Sequence, residues 1–183
     1  IRGRHWLDAM AMLPLAVPGL VMAFGFLEMS RPGQAFSWLM LGENPILLLV
    51  IAYSIRRLPY VVRSASAGLQ QVSPTLEEAA QNLGATPQRA LWRITLPLVA
   101  PNLIAGGLLA FSFAMLEVSD SMILAQQTVH YPITKAIYSL LGSLGNGPNL
   151  AAALGVWAMC FLGVTIFAAS LILGKKLGAL FRA

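Results

Sequence analysis

Charge is scarce in this sequence. Only 10% of its 183 residues are Asp, Glu, Lys or Arg, where a soluble domain carries about 25%. With 57% hydrophobic residues, the polar side chains cannot cover a water-exposed surface, so a soluble protein with a large core is excluded. Cysteine is nearly absent. The single Cys160 lies in an apolar run, which rules out an internal disulfide or a thiol metal cluster; it reads as a small residue facing lipid or a neighbouring helix. The two histidines, His5 and His130, fall in loops, and no Ser/His/Asp or Cys/His set is placed for nucleophilic catalysis. There is no GxxxxGK[ST] loop, so any ATP must be handled by another chain. The reading is therefore a non-enzyme without cofactor or metal. No secretory leader is evident in this stretch of sequence. The chain opens at Ile1 in a basic stretch with Arg2, Arg4 and His5, and is read as part of a longer protein whose first spans precede it.

The net charge of +5 does not point to nucleic acid, because the basic residues are divided among apolar blocks and form no aromatic-interleaved face. They fit membrane topology instead. A helix needs roughly 20 residues to cross a hydrocarbon core. Ala9 to Leu27, Leu96 to Leu116 and the region from Ala136 to Gly174 are free of formal charge. The last of these is interrupted at Gly145-Asn146-Gly147-Pro148-Asn149, a turn-rich cluster. A weaker span runs from Asn44 through Ile55, reaching Val62 if Arg56 and Arg57 snorkel to the interface. The expected fold is all-α, a polytopic helical bundle in one domain over residues 1–183, with spans near 9–28, 44–63, 96–117 and 150–174. Four crossings put Arg2, Arg4, Arg56, Arg57, Arg63, Arg89, Arg93, Lys175, Lys176 and Arg182 on one side and leave Arg31 and Lys135 on the other. Ten against two is a strong positive-inside bias.

The loop between the middle spans, Ser73 to Pro97, carries the most local information. Ser73-Pro74 predicts a helix start, with Thr75-x-x-Glu78 as a capping box. Gly84 predicts a left-handed C-terminal cap, and Thr86-Pro87 restarts a helix. The expectation is two short amphipathic helices with a glycine bend between them. Leu76, Ala79, Ala80 and Leu83 share one face of the first, while Glu77 lies off it and Glu78 at its edge. An interfacial connector would look the same by periodicity alone.

The order Glu78-Ala79-Ala80-x-x-x-Gly84, then nine residues, then Ile94-x-Leu96-Pro97 resembles the EAA motif of type I ABC importer permeases, the binding-protein-dependent inner-membrane components. Leu7-Asp8 with Leu13-Pro14-Leu15-x-Val17-Pro18-Gly19, the Gly107–Glu117 region with Ser119-Asp120, and Tyr131-Pro132-Ile133-Thr134 with Ile137-Tyr138 are similar to the ferric-ion, thiamine, molybdate and phosphonate branches. Val118-Ser119 stands where many relatives carry Phe-Gly. The resemblance implies that Glu77, Glu78, Ala79, Ala80, Gly84, Ile94, Leu96 and Pro97 form a coupling element docking in a cytoplasmic ABC ATPase subunit. It further implies a second permease subunit or half, an extracytoplasmic solute-binding protein, and a bacterial cytoplasmic membrane location. The overall likeness leans to phosphonate or ferric systems.

Other residues carry weaker expectations. Pro14 and Pro18, with Gly19, interrupt the first span and are candidates for a bent, pathway-lining helix. Glu117 and Asp120, at the outer end of the third, are candidates for the pathway or outer gate. They have no His or Cys at ligand spacing. Gly106-Gly107 reads as close helix packing, and Glu77 and Glu78 as rim charges for partner cations. Two rivals remain. An ion-gradient carrier would want acids or broken helices near the midplane and inverted repeats. A membrane assembly protein would want only the spans.

Overall fold

The computed structural model describes residues 4–40 and 44–180, with side chains described from Trp6 to Leu171. Lys175 and Lys176 lie where only the backbone is described; Arg2 and Arg182 lie outside the described residues. Most of the described residues are helical, with no strand among them.

Proline divides the first apolar run. Pro18 has no N–H and disfavours a helical conformation at Val17, so α1 (Arg4–Ala16) and α2 (Gly19–Met29) meet at 101°. The expected single span at 9–28 is thus a sharply broken pair. α3 (Ile46–Gln71) is continuous through Pro59 and is about 39 Å long at the usual helical rise. Its arginines keep it from being as apolar as the other long helices. Next come α4 (Pro74–Asn82), α5 (Pro87–Ala90), a π-helical turn (Leu91–Thr95) and α6 (Leu96–Met115). The last three run on as one helix, Pro87–Met115. A widened turn therefore lies inside this helix, just before the expected third span. α7 (Ser119–Leu124) and α8 (Ile133–Leu141) are short, and α9 (Gly147–Leu180) is long. Pro87–Met115 and Gly147–Leu171 are long and apolar enough to cross a membrane; the broken pair α1–α2 makes up to three such spans.

The chain divides into two compact units. The first comprises Ile1–Leu58 and Ser112–Thr165. Its core joins Leu39, Leu48, Leu49, Ala52, Leu124 and Ala125, with Phe26, Leu27, Tyr53 and Tyr131 packed around them. α2 lies on α7. The second unit comprises Pro59–Phe111 and Ile166–Ala183. There the end of α3 packs on α6 at two glycines. A Cβ on Gly106 would meet Ser64 Cβ at 2.6 Å, and one on Gly68 would meet Asn102 Cβ at 2.9 Å. The Ser64 hydroxyl donates to the Asn102 carbonyl across this contact. Gly107 faces open space. Many large apolar side chains of α6 and α9, among them Leu109, Phe111, Trp157 and Phe167, are exposed in the isolated chain. A helix that is apolar all round needs lipid or other helices as its surroundings.

Candidate functional site

The Ser73–Pro97 loop folds, in the second unit, into a compact bracket. Ser73 takes the extended conformation of an N-cap, with Pro74 at the first helical position. Its hydroxyl lies 2.8 Å from that of Thr75, so the cap acts through backbone shape. The expected Thr75–Glu78 capping box does not form, because Ser73-Pro74 starts the helix earlier and leaves Thr75 inside it. At the other end Gly84 has φ +89°. The Gly84 N–H donates to the Gln81 carbonyl at 2.9 Å and the Ala85 N–H to the Ala80 carbonyl at 3.0 Å. This pair of bonds is a Schellman cap, and only a residue without a Cβ takes that φ freely. Thr86 then caps α5 by accepting the Arg89 N–H at 3.3 Å.

The bracket sorts the residues expected to couple. Leu76 and Ala79 are exposed and Leu83 is 91% exposed, giving α4 an uncovered apolar face with the exposed Glu78 beside it. Ala80, Ile94 and Leu96 are half-buried, and Pro97 is exposed. Glu77 departs from expectation. It is half-buried rather than free at the rim, and its carboxylate accepts a hydrogen bond from the hydroxyl of buried Thr95. α4 packs on both α5 and the π turn, which draws Glu77 inward.

A second cluster lies in the first unit, and its placement corrects the topology reading. Arg56 and Arg57 are turned into the fold, their side chains 16% and 14% exposed. They sit near the middle of α3 and meet the two acids expected at the far side of the membrane. Arg56 Nη1 is 2.9 Å from Asp120 Oδ1, and Arg56 Nε is 3.4 Å from Glu117 Oε2. Arg57 Nη2 pairs with Glu117 Oε2, donates to the Phe113 carbonyl at 3.0 Å, and holds its guanidinium over the Phe113 ring. Asp120 and Glu117 are buried, at 0% and 6% exposure. Burying such charges is costly unless they are paired, and mutual pairing brings all four together. Without Arg56 and Arg57 the inner bias falls to eight against two, which keeps its sign.

The cluster also fixes the chain around it. Glu117 Oε1 accepts the Ser119 N–H at 3.0 Å, and the Glu117 carbonyl accepts the Thr134 hydroxyl at 2.5 Å, so this one residue joins the start of α7 to α8. Gly19 lies directly beneath Arg56, where a Cβ would collide with the guanidinium. The break at Pro18 thus opens room for the guanidinium. Of the residues proposed for a pathway or gate, Glu117 and Asp120 come together, Pro18 adjoins them through Gly19, and Pro14 lies inside α1. Arg56 and Arg57 are functional candidates that the sequence reading assigned elsewhere.

Lys135, counted in the sequence with Arg31 on the outer side, is drawn into the fold. It is 8% exposed. Its ammonium donates to the Met122 carbonyl at 3.0 Å and to the Ala125 carbonyl, and lies 4.6 Å from the Tyr131 ring centre. Burial away from water pushes its pKa below the ordinary lysine value. Among the described residues no three His, Cys, Asp or Glu side chains are grouped to hold a metal.

A family model, "Binding-protein-dependent transport system inner membrane component", matches residues 1–171. The chain belongs to this family. The chain is 34% identical over 145 residues to a probable sulfate transport system permease protein of Marchantia polymorpha, covering 76% of this chain and 49% of the relative. It is 28% identical over 184 residues to a putative molybdenum transport system permease protein of Bacillus subtilis, covering 95% and 78%. It is 29% identical over 196 residues to the molybdenum permease ModB of Escherichia coli, covering 98% and 80%. The chain thus spans about half the length of the Marchantia polymorpha relative and most of the molybdenum ones. With its apolar helices, it is a membrane protein.

Proposed function

We propose that this chain is the membrane-spanning subunit of an ATP-driven importer for a small oxyanion of the sulfate or molybdate kind. It lines part of the pathway and hydrolyses nothing itself. The observation that carries the reading is the bracket at Ser73–Pro97: a short helix with an uncovered apolar face, closed by the left-handed Gly84 and continuous through α5 with a membrane-length helix. Such an element suits docking in a groove of a separate cytoplasmic ATPase, so that closure of the motor moves the membrane helices. Glu77, Glu78, Ala79, Ala80, Gly84, Ile94, Leu96 and Pro97 are its coupling residues, with Glu78 the one left free to meet a partner cation. The other partners are a second permease subunit or half and an extracytoplasmic binding protein. The location is the bacterial cytoplasmic membrane, crossed four times, with α3 as the crossing of lowest hydropathy.

The relatives named above support the solute class and shift the lean away from phosphonate and ferric systems. Glu117 and Asp120, with Pro14 and Pro18, are placed beside the pathway. An ion-gradient carrier would also contain a broken helix and buried acids. Here both acids are ion-paired with Arg56 and Arg57, so neither stands as a free carboxylate for ion or proton binding, which favours the importer.

The test is copurification combined with uptake. The tagged permease should bring down an ATPase subunit, and a Gly84→Pro variant should still insert but lose solute uptake. Unchanged uptake of radiolabelled sulfate and molybdate in that variant would remove the coupling role.

A further inference from the structure

A docked helix transmits force only if it cannot fold against its own hinge. α4 is joined in sequence to α5 by the Gly84 turn, and a glycine turn alone would let the hairpin open or close under load. The structure supplies a second tie. Glu77, in the first turn of α4, accepts the hydroxyl of Thr95 across eighteen residues of chain. Thr95 is 4% exposed and is the last residue of the π-helical turn Leu91–Thr95. The widened turn lies just before Pro97, which has no N–H to offer the helical ladder. Single π turns of this kind are common at functional points of helices.

We infer that Glu77 and Thr95 form a strut that makes α4, α5 and the π turn one rigid triangle, and that this strut passes the ATPase's motion into the long helix. They are positioning residues, and the inference rests on the coupling reading above. A hydroxyl bonded to a carboxylate is among the stronger hydrogen bonds, and this one is shielded on the Thr95 side. Without it the load reaches α6 only through the glycine hinge. Glu78, one position on, stays exposed for the partner. The two neighbouring acids therefore have separate tasks, one turned to the motor and one to the permease's own helix.

The experiment uses the permease assembled with its ATPase and binding protein in proteoliposomes supplied with radiolabelled sulfate and molybdate. Thr95→Val keeps the shape and removes the donor. It is expected to leave assembly and basal ATP hydrolysis intact and to lower uptake per ATP about tenfold. Thr95→Ser, which restores the hydroxyl, should recover most of the loss. Glu77→Leu removes the acceptor from the more exposed side without altering the buried position, so it reads the same bond should Thr95→Val assemble poorly. Wild-type coupling in Thr95→Val or Glu77→Leu, or a Thr95→Ser variant as defective as Thr95→Val, overturns the strut. Gly84→Pro separates the two levels: uncoupling there but not in the strut variants removes the strut alone, whereas normal coupling in all of them removes the coupling reading itself.

Discussion

Arg56 and Asp120, sixty-four residues apart in sequence, face each other at 2.9 Å with the aspartate fully buried. Asp120 holds only one of the two arginines, and Arg56 keeps a second carboxylate, that of Glu117. Asp120→Asn should therefore be tolerated in part, at a cost of about 1–3 kcal/mol. Heating the detergent-solubilised complex and following its size-exclusion peak measures this. A variant as labile as one lacking the whole cluster would show that the Glu117 contact does not support Arg56.

Glu117 is the shared partner of Arg56 and Arg57 and also holds the Ser119 N–H. Glu117→Gln removes the charge facing two buried guanidiniums, and breaking a buried pair in this way costs about 3–5 kcal/mol. It should lower the amount of permease in the membrane more than Asp120→Asn does. In a double-mutant cycle, Arg56→Leu combined with Asp120→Leu should be closer to wild type than the sum of the singles, because no uncompensated charge remains. Strict additivity would mean that the pair is not coupled.

The local devices of the bracket were legible in the sequence because each is decided by adjacent residues. Ser73-Pro74 starts a helix, Gly84 reverses the chain, and Thr86-Pro87 starts the next helix, whatever surrounds them. The π turn was not legible, since Pro97 reads equally well as a helix start. Nor was the inward turn of Glu77, which depends on where Thr95 arrives after the bend. The charge cluster was the largest omission. Hydropathy sends an arginine pair to an interface, and only folding brings Glu117 and Asp120 to it. Gly19 gave a partial signal, because a glycine after a helix-breaking proline also fits a close approach of another side chain.

The two neighbouring glycines of α6 should behave oppositely. A Cβ at Gly106 would stand 2.6 Å from Ser64 Cβ and 3.2 Å from Val61 Cα, whereas at Gly107 it would meet nothing within 4 Å. Gly106→Ala forces α6 away from α3 and should cost about 1–3 kcal/mol, the usual penalty of overpacking. Gly107→Ala should be neutral. Detergent thermal stability of the two variants, measured side by side, decides the matter; equal stability would mean that the close contact at Ser64 is absent in the assembled protein.

Gly84 lies in open space, so its requirement is for backbone conformation and not for room. Gly84→Ala should cost about 1–2 kcal/mol, the penalty of a left-handed residue with a Cβ. Gly84→Asn should cost less, since asparagine tolerates that region. If stability or uptake ranks alanine above asparagine, the Schellman cap is not the conformation in use.

Lys135 closes the far end of α7. Its ammonium reaches the Met122 and Ala125 carbonyls, which have no further turn of helix to bond them. Lys135→Met matches the length and apolar stem but leaves both carbonyls without that donor, a loss of about 1–3 kcal/mol. α7 is only six residues long and rests on α2, so the effect should be local opening rather than global unfolding. Hydrogen exchange of the amides in α7, including the Ala125 N–H bonded to Ser121, should quicken about tenfold or more in the variant, while α9 stays unchanged. Equal acceleration in both helices would mean that Lys135 supports the unit as a whole and not α7 alone.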